Sequence, residues 1–326
     1  MAAIGRIEIE HAVVQAGMGG GLSRHELAAA VSAAGGLGTI GMMAGPAVER
    51  ELFFARERTS NPIAVNLLLP FARRGQFEAA TRADVVVTFW GRPVRRIDTT
   101  WIHQCGSVDE AVAAQRAGAD AVIAQGVEAG GHVRGVVPAL ELLERVRAAL
   151  PAGYPVLSAG GIATAADVRE RLDAGAAAAV LGTRFLMSDE SHAHRAYKER
   201  LLEARETVLT ELFGSGWPGA HRVLWNEAAE RWLRGDRRGP AWVRALNRAG
   251  APLLARAPTR LQGALTARQR VGLPFFTPIP PADDAPVRML DVAPLYAGET
   301  VTRIGDIRPA GDIVRALAGR PGYSPT

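Results

Sequence analysis

Residues 100–125, TWIHQCGSVDEAVAAQRAGADAVIAQ, contain two short apolar runs on either side of a segment with helical periodicity. The runs, residues 100–104 and 121–125, have the length of strands, and the segment between them has the apolar spacing of an amphipathic helix. A strand that is apolar throughout, as AVIAQ is, is typical of a parallel sheet covered on both faces. This stretch therefore predicts a strand–helix–strand unit of an α/β fold.

The same alternation extends outward from this unit as far as residue 206. The eight candidate strands are His11–Gln15, Leu37–Gly41, Ile63–Leu68, Val85–Phe89, Thr100–Gln104, Ala121–Gln125, Pro155–Ala159 and Ala177–Gly182. The candidate helices are Arg24–Ala34, Ala47–Arg58, Gly75–Arg82, Ser107–Ala117, Ala139–Ala149, Ala165–Ala174 and Ser191–Glu206. Only WGRPVRRIDT, residues 90–99, separates the fourth strand from the fifth, so we predict an abbreviated fourth crossover.

Eight strands with intervening helices predict an α/β protein with a (β/α)₈ TIM barrel. The alternative is a doubly wound open sheet, in which a GxGxxG turn commonly opens the first helix. No GxGxxG turn opens the first helix of this sequence, and the glycine-rich turns come late in the chain, which favours the barrel. In a barrel, the ligand lies at the carboxyl ends of the strands.

Residues 208–285 interrupt the alternation, because they contain four of the six tryptophans and show no convincing strand. We predict a smaller helical insertion domain after strand eight, which forms a lid over the barrel mouth. The barrel would comprise residues 1–207 plus 286–326, with a last helix at Pro309–Gly319. The lid would place some of the tryptophans and nearby arginines close to the substrate. These tryptophans are Trp217, Trp225, Trp232 and Trp242.

The composition excludes several classes of protein. Of the 326 residues, 48% are hydrophobic and 22% charged, and no apolar run approaches the ~18 to 20 residues of a membrane span. The single cysteine, Cys105, and an N-terminus without a long apolar core predict a cytoplasmic protein. The net charge of +5 is local, because residues 217–271 hold eleven arginines and three acidic residues. This distribution argues against a nucleic-acid partner, and we expect no membrane partner.

Glycine-rich turns follow the last two strands. Residues 158–162, SAGGI, follow strand seven, and residues 181–185, LGTRF, follow strand eight. Glycines allow backbone N–H groups to approach an anion closely, and adjacent barrel loops at these positions commonly hold a phosphate. The alternative is that Gly160, Gly161 and Gly182 serve tight turns alone.

Residues 125–132, QGVEAGGH, follow strand six and end in a histidine beside two glycines. His132 is a candidate general base, because the pKa of histidine lies near neutrality. The amides of Gln15 and Asn66, at the ends of strands one and three, are turn formers, helix caps or hydrogen-bond partners of a heteroaromatic ring. The histidines show no metal-ligand spacing with cysteine or carboxylates, so we predict no metal.

A family resemblance rests on VVQAGMGGGLS, ELAAAVSAAGGLGTIG, IAVNLL, HQCGSVDEAVAAQRAGADAVIAQGVEAGGH, VLSAGGIATAADV and LGTRF. Together these segments, spread over residues 11–190, resemble the FMN-dependent nitronate monooxygenase family, and LYAGETVTRI resembles the closing segment of that family. The ordered set also occurs in related FMN-dependent enoyl-thioester reductases and NADH:quinone reductases. The chain departs from the pattern at Gly17, where the family usually has proline, and in EAGGHVRG, which is one residue longer than usual.

The resemblance implies a non-covalent FMN and a catalytic role for His132, as base for a nitroalkane or as donor to the nitro oxygens. The phosphate would rest on Gly160, Gly161, Gly182 and Thr183. The implied cofactor-binding residues are Gly17, Met18, Asn66, Gln125, Gly130, Gly160, Gly161, Leu181, Gly182 and Thr183.

Three functions follow from these observations. The first is nitronate monooxygenase, which oxidises an alkyl nitronate with O2 to a carbonyl compound and nitrite. The second is an FMN-dependent NAD(P)H oxidoreductase acting on an enoyl thioester or quinone, supported by the +8 charge of residues 217–271, although solvated helices explain that charge better. The third is a non-catalytic barrel that binds a phosphorylated ligand. We expect a small-molecule substrate, and an anion is among the candidates. The sequence does not decide between a monomer and a homodimer.

Overall fold

The computed structural model of the chain describes residues 1–91, 97–255, 257 and 259–319. The strands of this part of the chain are β1 (Ala2–Ile4), β2 (Ile7–Ile9), β3 (Val13–Gln15), β4 (Gly38–Ile40), β5 (Ile63–Leu68), β6 (Val85–Phe89), β7 (Thr100–Cys105), β8 (Ala121–Gln125), β9 (Gly131–His132), β10 (Val156–Ala159), β11 (Ala179–Leu181), β12 (Val208–Thr210) and β13 (His221–Val223).

The helices are α1 (His25–Ala33), α2 (Gly45–Arg56), α3 (Arg74–Ala80), α4 (Val108–Arg116), α5 (Ala139–Ala149), α6 (Ala165–Asp173), α7 (Thr183–Leu186), α8 (Arg195–Leu202), α9 (Glu227–Trp232), α10 (Ala241–Leu254), α11 (Thr259–Ala267) and α12 (Ala310–Leu317). Two 3₁₀ helices span Val287–Asp291 and Glu299–Arg303.

Eight parallel strands form one sheet in the order β3, β11, β10, β8, β7, β6, β5, β4. The sheet closes on itself, because Gln15 N donates to Leu37 O at 2.9 Å and Leu37 N donates to Val13 O at 3.0 Å. These bonds join β3 to the residue just before β4. The predicted (β/α)₈ barrel is therefore confirmed, and the open sheet is excluded.

The core has two layers, which explains why the strands are apolar throughout. On β6, Val85 and Val87 point into the barrel interior, whereas Val86 packs outward against the helical layer. The hairpin of β1 and β2 contributes Ile4 and Ile9 to the interior cluster, where they cover the amino ends of the barrel strands. The opposite end, where the carboxyl ends of the strands meet, stays open for a ligand.

The predicted and observed elements agree closely in the barrel. The bounds of β5, β6, β8 and α5 are the predicted ones. The helix predicted at residues 191–206 is shorter, since α8 begins at Arg195, and it is preceded by the single turn of α7. The abbreviated fourth crossover falls largely on residues 92–96, which lie outside the described residues.

The prediction that residues 208–285 hold no strand is wrong. β12 and β13 pair antiparallel, and β13 pairs in turn with β9, which places His221 opposite His132. Each of these strands has three residues or fewer, too few to show an alternating pattern in the sequence. The helices α9, α10 and α11 account for the helical part of the prediction. The division into two domains stays a prediction.

Within the described ranges, no helix is both long enough and apolar enough to cross a lipid bilayer.

Candidate active site

A cavity of about 1080 Å³ lies at the carboxyl ends of the barrel strands. Every residue predicted for the site contributes to its lining, which fixes their proximity but not their roles. These residues are Gly17, Met18, Asn66, Gln125, Gly130, His132, Gly160, Gly161, Leu181, Gly182 and Thr183. A smaller pocket of about 400 Å³, lined by Trp225, Arg234 and Arg237 among others, contains none of them.

The loops after β10 and β11 form one end of the cavity, which we call the glycine cradle (Gly160, Gly161, Gly182 and Thr183). Gly160 and Gly161 have φ angles of +106° and +73°, which L side chains rarely adopt. The backbone N–H groups of all four residues donate no hydrogen bond to any other described residue. The cradle therefore offers several donors to an anion.

Two arginines fix the carbonyl side of the same loop. Arg171 Nη2 donates to Gly160 O at 3.4 Å, and Arg303 Nη2 donates to Gly161 O at 3.1 Å. Arg303 also binds Asp167 at 2.9 Å, and Asp167 accepts hydrogen bonds from the backbone at the start of α6. With their carbonyls held in this way, the two glycines keep the conformation that the cradle requires.

The side of the cradle that the loop after β11 forms is open. A Cβ placed on Gly182 would have only the Cβ of Ala16 nearby, at 3.9 Å. Thr183 Oγ1 accepts a hydrogen bond from Gly298 N at 2.9 Å, which ties the loop to the C-terminal segment. The space beside Gly182 is thus available to a ligand and is not needed for packing within the protein.

Close backbone approach explains two further glycines. A Cβ on Gly17 would lie 2.4 Å from the Cβ of Asn66, so this geometry excludes the side chain of the family's usual proline. A Cβ on Gly130 would lie 2.5 Å from Gly298 N. The absence of a side chain at Gly130 therefore allows the C-terminal segment to pack against the cavity wall.

The amide of Gln125 supports the segment that carries His132. Gln125 Nε2 donates to His132 O at 3.0 Å, and Gln125 Oε1 accepts from Arg134 N at 3.1 Å. Asn66 Nδ2 donates to Val87 O at 3.3 Å on the neighbouring strand. Both side chains line the cavity, and the bonds of Gln125 add a structural role that the sequence did not indicate.

His132 is 6% exposed and lies among aromatic rings. The Trp217 ring stacks on its imidazole, with centroids 3.5 Å apart and an interplanar angle of 6°. Trp90 and Tyr296 approach it at 5.7 Å and 5.8 Å. Burial, together with the nearby His221, holds the pKa of His132 well below its usual value, although the Trp217 carbonyl opposes this shift. His132 is therefore neutral near pH 7.

Three of these aromatic neighbours were found only in part from the sequence. Trp217 belongs to the tryptophan-rich region predicted to approach the substrate, and it lines the cavity. Tyr296 lies within LYAGETVTRI and also lines the cavity, but nothing in the sequence singled it out. Trp90 directly follows β6 with a φ of +63°, a conformation uncommon for a non-glycine residue, and no sequence signal pointed to it.

Among residues 217–271, the arginines whose side chains the structure describes do not line the cavity. Arg238 and Arg248 bind Glu211, Arg244 binds Asp236, and Arg222 binds Glu299. Among the described residues, Arg73 is the one arginine of the lining. The prediction of insertion arginines beside the substrate is thus wrong for these residues. Arg256 and the side chain of Arg260 lie outside the described part.

The fold also brings together a cluster that sequence spacing did not reveal. His25 Nδ1 lies 2.6 Å from Glu51 and His25 Nε2 lies 3.2 Å from Glu26. The Glu26 carboxylate also lies 3.0 Å from His192 Nε2, and His192 Nδ1 lies 2.6 Å from the Asp283 carboxylate. His25, Glu26 and Glu51 are close enough to share a cation, but each nitrogen of His25 already faces a carboxylate. We interpret this cluster as an ion-pair chain between α1 and the segment after residue 280.

Comparison with known proteins gives the following similarities. A family model described as nitronate monooxygenase matches residues 2–241. A probable nitronate monooxygenase of Staphylococcus saprophyticus subsp. saprophyticus is 31% identical over 259 residues, which cover 62% of this chain and 72% of that protein. A probable nitronate monooxygenase of Staphylococcus aureus strain Newman is 30% identical over 273 residues, which cover 64% and 74%.

Two solved structures share the fold. FabK from Thermotoga maritima has a TM-score of 0.71 and 30% identity, covering 95% of this chain and 92% of that one. A nitroalkane oxidase from Streptomyces ansochromogenes has a TM-score of 0.71 and 28% identity, covering 95% of both chains. The barrel and the enzyme prediction are confirmed, and the protein is an oxidoreductase. Because the family model spans most of the sequence, the chain belongs to the nitronate monooxygenase family.

Proposed function

We propose that the protein is an FMN-dependent nitronate monooxygenase, which oxidises an alkyl nitronate with O2 to a carbonyl compound and nitrite. The observation that carries this proposal is the arrangement of one cavity, with the glycine cradle and His132 both in its wall. The family match supports the reaction type, and the similarity to a nitroalkane oxidase supports a nitro compound as substrate.

The residues of the cradle fit a phosphate monoester such as that of FMN. Unpaired backbone N–H groups of glycines at the ends of the last two barrel strands are suited to phosphate oxygens. The open side of Gly182 supplies the space. Gly17, Met18, Asn66, Gln125, Gly130 and Leu181 would hold the rest of the cofactor. Bound FMN would supply the redox chemistry, as acceptor of electrons from the nitronate and donor to O2.

His132 supplies an acceptor for a substrate proton. Its Nε2 lies 3.4 Å from the carbonyl oxygen of Trp217, which can only accept, so the neutral ring carries its proton on Nε2. Nδ1 then has a free lone pair and no hydrogen-bond partner among the described residues. Because burial disfavours the imidazolium, we expect the site to act faster on a preformed nitronate, which needs no deprotonation, than on the neutral nitroalkane.

Apolar walls close the rest of the cavity. Met42, Leu68, Phe71 and Phe89 line it from the loops and ends of neighbouring strands. These side chains exclude water from the reacting carbon and accommodate an alkyl chain. The proposed substrate is therefore a small anionic head on an apolar substituent.

The test is an anaerobic comparison of reductants with the FMN-loaded protein. An alkyl nitronate should bleach the flavin absorbance, and readmitted O2 should restore it with release of nitrite. NADH and NADPH should leave the absorbance unchanged. Bleaching by a pyridine nucleotide but not by nitronates would reject the proposal in favour of an NAD(P)H oxidoreductase acting on an enoyl thioester or quinone. A protein that cannot be loaded with FMN would reject both.

A further inference from the structure

The imidazole of His132 is covered on one face by a single residue from a distant part of the chain. The Trp217 ring lies parallel to it at 3.5 Å, closer than any other ring around His132. Trp217 belongs to the loop between β12 and β13, 85 residues after His132. Parallel stacking at this distance fixes the plane of the imidazole, because any tilt would bring the two rings into collision.

The same residue also favours one of the two flip states of the imidazole ring. The carbonyl oxygen of Trp217 lies 3.4 Å from His132 Nε2, and a carbonyl can only accept a hydrogen bond. A flip of the ring by 180° would place the carbon Cε1 at this position and lose the hydrogen bond. Trp217 therefore contacts His132 twice, through its ring and through its backbone.

Trp217 is itself held in place by contacts on several sides. Its ring meets the rings of Trp90 and Phe71 edge to face, at 5.2 Å and 5.5 Å. Its loop is attached to the rest of the protein, since Ser215 N donates to Phe276 O at 3.0 Å and Ser215 Oγ donates to Asn247 on α10 at 3.0 Å. The position of the indole over His132 is thus built by the fold.

The position of the indole is not explained by its own polar group. Trp217 Nε1 is buried and has no hydrogen-bond partner in the described structure, an arrangement that costs free energy. A buried tryptophan usually satisfies this N–H. The indole is therefore held over His132 by its ring contacts and not by a hydrogen bond of its own to a described residue.

We propose that Trp217 is a positioning residue, which fixes the orientation and tautomer of His132 so that Nδ1 is the atom presented to the substrate. This inference rests on the proposed function only in assigning His132 to the substrate. The positioning itself is a property of the protein without substrate, and it can be measured separately.

The experiment compares wild type with Trp217→Leu and Trp217→Phe, with Trp225→Leu as matched control. Trp225 also has a buried Nε1 without a partner, but it does not line the cavity. Imidazole NMR of protein with isotope-labelled histidine, assigned with His132→Asn, reports the tautomer and titration of His132 in each purified variant. A second measurement is the pH profile of kcat/KM with a neutral nitroalkane.

In wild type and Trp225→Leu, His132 should show one tautomer with the proton on Nε2. Trp217→Leu keeps the backbone carbonyl but frees the imidazole to turn away from it, so the two tautomers should exchange and the titration midpoint should rise toward 6.5, the value of a hydrated histidine. The acid limb of the kcat/KM pH profile should move to higher pH together with this midpoint, and kcat should fall about 10- to 100-fold. Trp217→Phe, which retains a ring, should lie between these results.

An unchanged tautomer and titration of His132 in Trp217→Leu would overturn the proposal. If Trp217→Leu is too unstable to study, the same reading of Trp217→Phe decides, because phenylalanine keeps the packing but covers less of the imidazole. Loss of the fixed tautomer in a protein that oxidises no nitronate would uphold the positioning role and reject only the proposed function.

Discussion

Two parts of the cavity wall are built in different ways. The glycine cradle comes from backbone atoms of two neighbouring loops, residues 160–161 and 182–183, that directly follow barrel strands. The second part, the aromatic wall, consists of the side chains of Trp217 and Tyr296 at His132, with Trp90 packed edge to face against Trp217, and these residues come from three distant parts of the chain. The comparison suggests that cofactor binding depends on local backbone geometry, whereas the reactivity of His132 depends on long-range packing. Substitutions in the glycine cradle and in the aromatic wall should therefore have separable effects.

The largest effect should follow a change in the cradle. Gly182→Leu should abolish FMN binding and with it all activity, because the side chain would fill the space opposite the free N–H groups. The protein should still fold, since a Cβ at 182 meets only Ala16 at 3.9 Å and the backbone is not left-handed. Flavin absorbance after reconstitution and circular dichroism are the measurements. Gly305→Leu, at an exposed glycine with open space around it, is the control and should remain yellow.

The next effect should separate the aromatic wall from the cradle. His132→Asn should retain FMN and lose about 10² to 10⁴-fold in turnover of a neutral nitroalkane, the usual contribution of a general base. Turnover of the preformed nitronate should fall less, because that substrate needs no deprotonation. Steady-state nitrite release with both substrates is the measurement. His194→Asn, at a helix N-cap where asparagine is suitable, should behave as wild type. Equal losses for both substrates would contradict a role for His132 as base.

A smaller effect should come from the loop after β3, which also lines the cavity. Gly17→Ala should lower the free energy of unfolding by about 1 to 3 kcal/mol, because its Cβ would overlap the Cβ of Asn66 at 2.4 Å. Denaturant unfolding of the protein without flavin measures this directly. Gly19→Ala, where nothing lies within 4 Å of the added Cβ, should be neutral. If both variants are equally stable, Asn66 moves freely and its position is not fixed by Gly17.

The smallest effect should occur at the ion pair between His192 and Asp283. Partial burial opposes the shift, but the hydrogen bond and charge of His192 hold the pKa of Asp283 below its usual value. A lowered carboxyl pKa contributes stability above the unfolded pKa, and that contribution is lost as pH falls through the folded pKa. Asp283→Asn should therefore cost under about 1 kcal/mol at pH 6, since the carboxylate is half exposed, and nothing near pH 2. Asp284→Asn is the control, and a pH-independent difference would contradict this explanation.

Much of the barrel could be predicted from the sequence, because its elements are local. Val85–Phe89 and Ala121–Gln125 are apolar on both faces, and this pattern alone indicates a strand in a covered parallel sheet. The glycine-rich turns after the last two barrel strands were equally visible in the sequence, although glycines also serve tight turns, and phosphate binding there stays a prediction. Where backbone conformation decides a feature, the residue type reports it directly.

The surroundings of His132 could not be predicted, because they are formed by contacts between residues far apart in the sequence. β13 pairs with β9 across about 90 residues of sequence, and neither strand is long enough to show a period. The arginine-rich composition suggested a basic ligand site, but Glu211 and Asp236 bind arginines that only the folded chain brings to them. Tertiary contacts of this kind leave no local pattern.

Binding of the FMN phosphate by the glycine cradle is tested most directly by the affinities of the protein for FMN and riboflavin. These two ligands differ only in the phosphate group. Because two or more hydrogen bonds to a charged group are at stake, the wild-type protein should bind FMN at least about 100-fold more tightly than riboflavin. Gly182→Leu should bind FMN no better than riboflavin. Equal affinities in the wild type, or an undiminished preference for FMN in Gly182→Leu, would contradict this role of the cradle.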